Sequence, residues 1–219
     1  MPANARECAA GVLARVETDR AFAAAALDAA LHRAALDPRD RALATELVYG
    51  VLRTAPALDA ALGAHARDGA ASLARLDALT RATLRVGAYQ IVALERVPPR
   101  AAVDAAVESV KRSRTARLAG FANALLRRLA EGRPATLPPE VRLSLALQAF
   151  PAAARARIAA VLGDAGAAAH LRAALADERA VALRVNTLVA PRDAVAARLR
   201  SELSGATVLE GRLSPLALR

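Results

Sequence analysis

Tryptophan is absent from the 219 residues, cysteine occurs once (Cys8), lysine once (Lys111), and tyrosine and phenylalanine together only five times. A single thiol excludes an internal disulfide, and with three scattered histidines it cannot complete a zinc set, so no metal is expected. The five rings, Phe22, Tyr49, Tyr89, Phe121 and Phe150, are too dispersed for the clustered stacking platforms that read single-stranded nucleic acid. No charge-free stretch approaches the roughly 18 residues of a membrane span; the longest, Leu143 to Ala154, contains Pro151. The opening MPANARECAA lacks the apolar run of a secretory signal. Phosphate loops, G-x-G-x-x-G, Pro-Cys and His-x-x-x-His are also missing. The chain is therefore expected to be cytoplasmic, with no membrane or metal partner and no catalytic centre of its own.

What is present is apolar and basic. Hydrophobic residues make up 55% and charged residues 24%, too apolar for the disordered class. Lys plus Arg outnumber Asp plus Glu by 31 to 21, a net charge of +10, which points to a polyanionic partner. Base composition of a genome can also enrich arginine, so the placement of charge matters more than its total. Residues 1–133 hold 20 basic and 14 acidic groups. The excess falls in one stretch, where Lys111, Arg112, Arg114, Arg117, Arg127, Arg128 and Arg133 face only Glu131. Read in one helical register, Arg114, Arg117 and Arg128 share a face opposite Leu118, Leu125 and Leu129. That cationic ridge is the candidate phosphate contact.

Apolar spacing predicts seven helices before residue 131. One runs from an Asn4 cap to about Val16, and a second carries Phe22, Leu27 and Leu31 on one face. A third opens at Asp37-Pro38, an N-cap followed by Pro at the first helical position, with Leu43, Leu47 and Val51 in its stripe and Leu52 beside it. A short fourth follows Pro56. The fifth, Asp77 to Leu94, contains Gly87, which costs about 1 kcal/mol against Ala in a helix and so predicts a close neighbour. The sixth opens at Pro98-Pro99 with Val103, Val107 and Val110, and the seventh holds Leu118, Phe121, Leu125 and Leu129. Tyr49, Tyr89 and Phe121 are expected in the core, and Cys8 as a buried, inert thiol.

The Pro-rich segment EGRPATLPPE, residues 131–140, reads as a linker. Beyond it, helices are predicted at about Pro139 to Phe150, Ala152 to Leu162 and Asp164 to Ala176. Val181 to Asn186 alternates as a strand, Arg192 to Leu203 is an amphipathic helix, and Ala206 to Leu209 can form a second strand. Such a two-stranded unit is marginal alone, so the chain is expected to stop inside a domain. The fold class is mainly α: a helical bundle at 1–132, a linker at 133–140, a helical segment at 141–178, and an incomplete β-α-β module at 179–219.

Several of these residues carry a resemblance. Asp40-Arg41 with Leu47-Val48-Tyr49-Gly50-Val51-Leu52-Arg53, then Arg85-Val86-Gly87-Ala88-Tyr89-Gln90, then Val97-Pro98 with Ala101-Ala102-Val103, and Gly120-Phe121-Ala122-Asn123-Ala124-Leu125-Leu126-Arg127-Arg128 together resemble the NusB-like RNA-binding domain over residues 5–130. That domain occurs in free antitermination factors and at the N-terminus of the Sun/RsmB family of ribosomal RNA cytosine-5 methyltransferases. Ala182-Leu183-Arg184-Val185-Asn186-Thr187-Leu188, Arg192-Asp193 and Leu213-Ser214-Pro215-Leu216-Ala217-Leu218-Arg219 look like the methyltransferases' pre-catalytic module. The Ser-His-Pro-x-Trp pattern common after the linker is replaced by Leu143-Ser144-Leu145-Ala146. The resemblance implies an RNA-docking region for small-subunit (16S) ribosomal RNA. It places S-adenosylmethionine and the two catalytic cysteines in a domain beyond this sequence, so none of the residues here binds the cofactor or performs catalysis. It adds Arg6, on the N-terminal helix, to the RNA candidates Lys111, Arg112, Arg114, Arg117, Arg127 and Arg128. The alternative is a free-standing antitermination factor with a ribosomal-protein partner.

Overall fold

The computed structural model describes residues 4–133, 138, 140–175 and 185–202, and the chain divides into two units, 1–177 and 178–219. In the larger unit the helices are α1 (Ala5–Thr18), α2 (Ala23–Arg33), α3 (Pro38–Gly63), α4 (Ala70–Ala74), α5 (Ala78–Ala93), α6 (Pro99–Lys111), α7 (Ala119–Glu131), α8 (Val141–Ala149) and α9 (Ala152–Leu175), with a 3-10 turn at Ala116–Leu118. The smaller unit contributes α10 (Arg192–Glu202). Among the described residues every regular element is helical.

The helix starts follow from local chemistry. Asn4 accepts hydrogen bonds from the backbone N–H groups of Arg6 and Glu7, both at 3.0 Å, and Asp37 and Asp77 cap α3 and α5 through the N–H groups of Asp40 (2.7 Å) and Thr80 (3.0 Å). Pro38 and Pro99 stand where a missing N–H costs nothing. α5 is buried on every side from Val86 to Ile91 and packs against α1, α3, α6 and α7. Such an all-round apolar helix has to be the centre of its bundle. Gly87 gives the predicted close approach: a Cβ there would lie 3.1 Å from Leu126 Cδ1 and 3.2 Å from Ala106 Cβ. Leu84, Tyr89 and Ile91 of α5, with Leu47, Leu58, Leu62, Leu73 and Leu126 of other helices, are among the largest fully buried side chains.

Three expectations change. No separate helix follows Pro56: α3 continues through it to Gly63, and the short helix lies later, at Ala70–Ala74. A Pro inside a helix costs about 3 kcal/mol, but Leu47 and Val51 before it and Leu58 and Leu62 after it share one core, and Pro56 itself faces solvent. Tyr49 is not core but 39% exposed, because on α3 it points away from the Leu47, Val51 and Leu58 face. Phe22 precedes α2 rather than joining its stripe and is 86% exposed. Of the predicted strands, Val181 to Arg184 and Ala206 to Leu209 lie outside the described residues, while Val185 and Asn186 have irregular backbone leading into a turn.

α9 is 24 residues long and apolar enough by composition to cross a membrane. Gly163, at φ +68°, breaks its backbone geometry, and it carries Arg155, Arg157, Asp164 and Arg172. α8 packs against α3, with Ala146 buried, and α9 packs against α8.

Candidate nucleic-acid interface

The ridge predicted from residue spacing does not lie on one uninterrupted helix. α6 ends at Lys111, a turn at 113–115 and the 3-10 turn intervene, and α7 restarts the register at Ala119. α6 and α7 then run antiparallel, as the end of α7 reaching the start of α6 shows: Arg133 donates to the carbonyls of Val97 (3.1 Å) and Glu95 (3.4 Å). At 1.5 Å per residue, Arg128 stands roughly 15 Å along α7 from Arg117. The cations therefore form two groups, Lys111 to Arg117 at the α6–α7 turn and Arg127 with Arg128 farther along.

Contacts sort these residues further. Lys111 lies 3.8 Å from Glu108 in the last turn of α6, where a cation also offsets the helix dipole. Arg112 pairs with Glu7 of α1 and, at 3.4 Å, with Glu108, and the hydrogen bond to Glu7 leads in raising its pKa above the ordinary value. Arg6 donates through Nε to Gln90 Oε1 at 2.7 Å. Arg128 donates to the His65 carbonyl at 3.3 Å. Arg114, Arg117 and Arg127 are exposed and have no ion-pair or hydrogen-bond partner among the described residues. Arg20, Arg33, Arg39 and Arg96 are exposed in the same way, but in stretches that carry comparable acid, whereas no Asp or Glu occurs between Glu108 and Glu131.

The turn itself is held firmly. Ser113 Oγ donates to Val110 O (2.7 Å) and sits 2.8 Å from Thr115 Oγ1, which in turn lies 2.6 Å from Thr80 Oγ1 of α5. Arg114 is thereby mounted on a fixed backbone. α7 starts without a side-chain cap because the 3-10 turn runs straight into it: the N–H groups of Leu118 and Ala119 already donate to the carbonyls of Thr115 and Ala116. This arrangement can hold phosphates and presents no exposed aromatic ring for stacking bases: the exposed rings Phe22 and Tyr49 belong to the start of α2 and to α3, not to the turn.

One cation gave no signal in the sequence. The Arg128–His65 contact draws the turn after α3 beside α7, and that turn carries Arg67, exposed and without a partner among the described residues. Sixty residues separate Arg67 from Arg127, and Asp68 beside it neutralises the local sequence, so no run of charge announces it.

The rest of the bundle offers little room for chemistry. Clefts lined by Gly50, Arg53, Tyr89 and Arg142, and by Arg6, Thr83, Gln90 and Ser109, each have space of about 10 Å³, a single water's worth. Neither fits S-adenosylmethionine. Cys8 is buried, and burial raises its thiol pKa. Among the described residues no group of three or more His, Cys, Asp or Glu could hold a metal.

Residues 3–131 match the NusB family. The chain is 44% identical over 141 residues to the ribosomal RNA small subunit methyltransferase B of Thermus thermophilus, covering 63% of this chain and 32% of that protein. The protein of the same name from Xanthomonas campestris is 39% identical over 141 residues, 60% of this chain and 31% of its own length. The transcription antitermination protein NusB of Leifsonia xyli is 32% identical over 134 residues, 60% of this chain and 92% of that protein. This chain thus spans about a third of the length of the methyltransferases it matches.

Proposed function

Because the chain belongs to the NusB family through residues 3–131, we propose that it is the RNA-binding, substrate-positioning N-terminal region of an S-adenosylmethionine-dependent methyltransferase acting on cytosine-5 of small-subunit ribosomal RNA. The observation that carries the RNA part is the α6–α7 turn, where Arg114 and Arg117 have no acidic partner among the described residues and stand on a hydrogen-bonded backbone. Phosphate contacts of this kind fix the register and orientation of an RNA without specifying its sequence. Arg127 and Arg67 extend the contact along α7. Lys111, Arg112, Arg6 and Arg128 spend their charge partly on the fold and are weaker contributors. The methyltransferase part rests on the relatives from Thermus and Xanthomonas and on helices α8 and α9, which continue beyond the family match. Transfer of the methyl group, the cofactor and the cysteine chemistry belong in this reading to a catalytic region outside these residues. A cytoplasmic location goes with it.

The second reading, a free-standing antitermination factor with a ribosomal-protein partner, is favoured by the coverage of 92% of the Leifsonia protein.

The test is filter binding of the 219-residue chain to small-subunit ribosomal RNA fragments across a salt series. Each neutralised phosphate contributes about 0.7 to 0.9 to the log-log slope. The pair Arg114→Ala with Arg117→Ala is expected to weaken binding and flatten the slope by roughly 1.5. An unchanged slope removes the turn from the mechanism, and preferential binding of an antitermination RNA together with a ribosomal protein selects the second reading.

A further inference from the structure

One carboxylate oxygen ties three helices together. Glu46 Oε1, on α3, accepts hydrogen bonds from Tyr89 Oη of α5 at 2.7 Å and from Arg142 Nη1 of α8 at 3.0 Å. Glu46 and Tyr89 lie inside the residues matched to the family, and Arg142 lies beyond them. The helices meet through small residues, Gly50 on α3 and Ala146 on α8, which line one cleft with Arg142, Tyr89, Thr54 and Leu175.

α8 cannot stand alone. It has nine residues, fewer than the roughly 12 to 15 an isolated helix needs in water, and Ala146 is its only fully buried side chain. Its helicity thus depends on docking. Leu145 adds part-buried apolar packing on the bundle core, and the shared carboxylate adds directional, charge-assisted hydrogen bonds that fix how the helix is seated.

We propose that Glu46, Tyr89 and Arg142 form a latch that fixes α8, and α9 packed on it, in one position on the bundle. Residues 140–175 then ride on the bundle as a fixed segment whose last residue, Leu175, lines the same cleft, and Arg142 is a positioning residue. The purpose of the latch, fixing the place of α8 and α9 relative to bound RNA, rests on the RNA reading above. The latch itself does not.

Hydrogen exchange on the 219-residue chain tests it. In Arg142→Ala and in Glu46→Gln, the amides of α8 are expected to exchange about tenfold faster, the loss expected for one hydrogen bond to a charged group, with α5 and α7 unchanged. Arg142→Lys, which keeps the charge, should retain part of the protection. Spin labels at Ala101→Cys on α6 and Ala160→Cys on α9, with Cys8→Ala, should give one narrow distance distribution that broadens in both variants. The charge-swapped pair Glu46→Arg with Arg142→Glu should narrow it again, which separates a latch from general loosening. Unchanged α8 exchange in both single variants, or a swapped pair no better than either, overturns the proposal. RNA affinity is measured in parallel: its absence in the native chain counts against the RNA reading and leaves the latch standing.

Discussion

The ring of Tyr89 fills the space that a side chain at residue 50 would need: a Cβ built on Gly50 would fall inside the van der Waals envelope of Tyr89 Cζ and Oη. α3 and α5 therefore touch backbone to ring, and the Tyr89 hydroxyl is left in reach of Glu46. Burial, followed by the hydrogen bond to Glu46, raises the Tyr89 pKa well above its ordinary value of 10.0.

Gly50→Ala should destabilise the chain by about 1 to 3 kcal/mol, the usual cost of overpacking, although Ala gains about 1 kcal/mol of helix propensity. Gly87→Ala should be nearly neutral. Its Cβ would meet Leu126 and Ala106 at 3.1–3.3 Å, a crowding of tenths of an ångström that the same gain offsets. Urea unfolding of both variants checks the contrast, and equal effects would refute the packing account.

Arg85 grips Asp59 with two hydrogen bonds, 2.8 and 2.7 Å, and Glu17 with a third at 3.0 Å, joining α5 to α3 and α1. These hydrogen bonds, led by that to Asp59, outweigh burial and hold its pKa above the ordinary value. Arg85→Met should cost about 2 kcal/mol, less than the 3 to 5 of a fully buried broken pair, because both carboxylates keep some water. A variant within about 0.5 kcal/mol of native in urea unfolding would show the cluster to be an ordinary surface one.

Glu17 supplies an acid dependence. The hydrogen bond from Arg81 leads in holding its carboxyl below the ordinary 4.5, against the opposing effect of burial. A depressed native pKa contributes stability that is complete above about pH 4.5 and is lost as pH falls through the lower native value. Glu17→Gln should therefore be less stable than native near pH 7, with the gap closing as the pH falls below the ordinary carboxylate range. A gap independent of pH in denaturant titrations would assign the loss to packing alone.

Paired and free arginines should separate in one experiment. Arg114→Gln is expected to leave the melting temperature unchanged while weakening RNA binding, since Arg114 has no partner among the described residues. Arg112→Gln removes the link from α6 to Glu7 of α1 and should lower the melting temperature with a smaller effect on RNA. Calorimetry with filter binding on both variants decides, and the reverse pattern would mean that Arg112 is the contact.

Much of the bundle could be read from local signals. The caps Asn4, Asp37 and Asp77, the prolines at helix starts, the apolar stripes and the demand of Gly87 for a close neighbour are written within a few residues each, so they survive without knowledge of the partner helix. The excess charge between Lys111 and Arg133 was equally plain, because it is a local run. Only the tertiary structure decided which cations remain free. A guanidinium's partner is set by helix packing across large separations: Arg112 meets Glu7 across 105 residues, Arg6 meets Gln90 across 84, and Arg142 meets Glu46 across 96. Periodicity also cannot say where a register breaks, so the interruption between Lys111 and Ala119 and the passage of α3 through Pro56 had to come from the fold. In both places the shared core outweighs local propensity, and that core exists only once the helices are together.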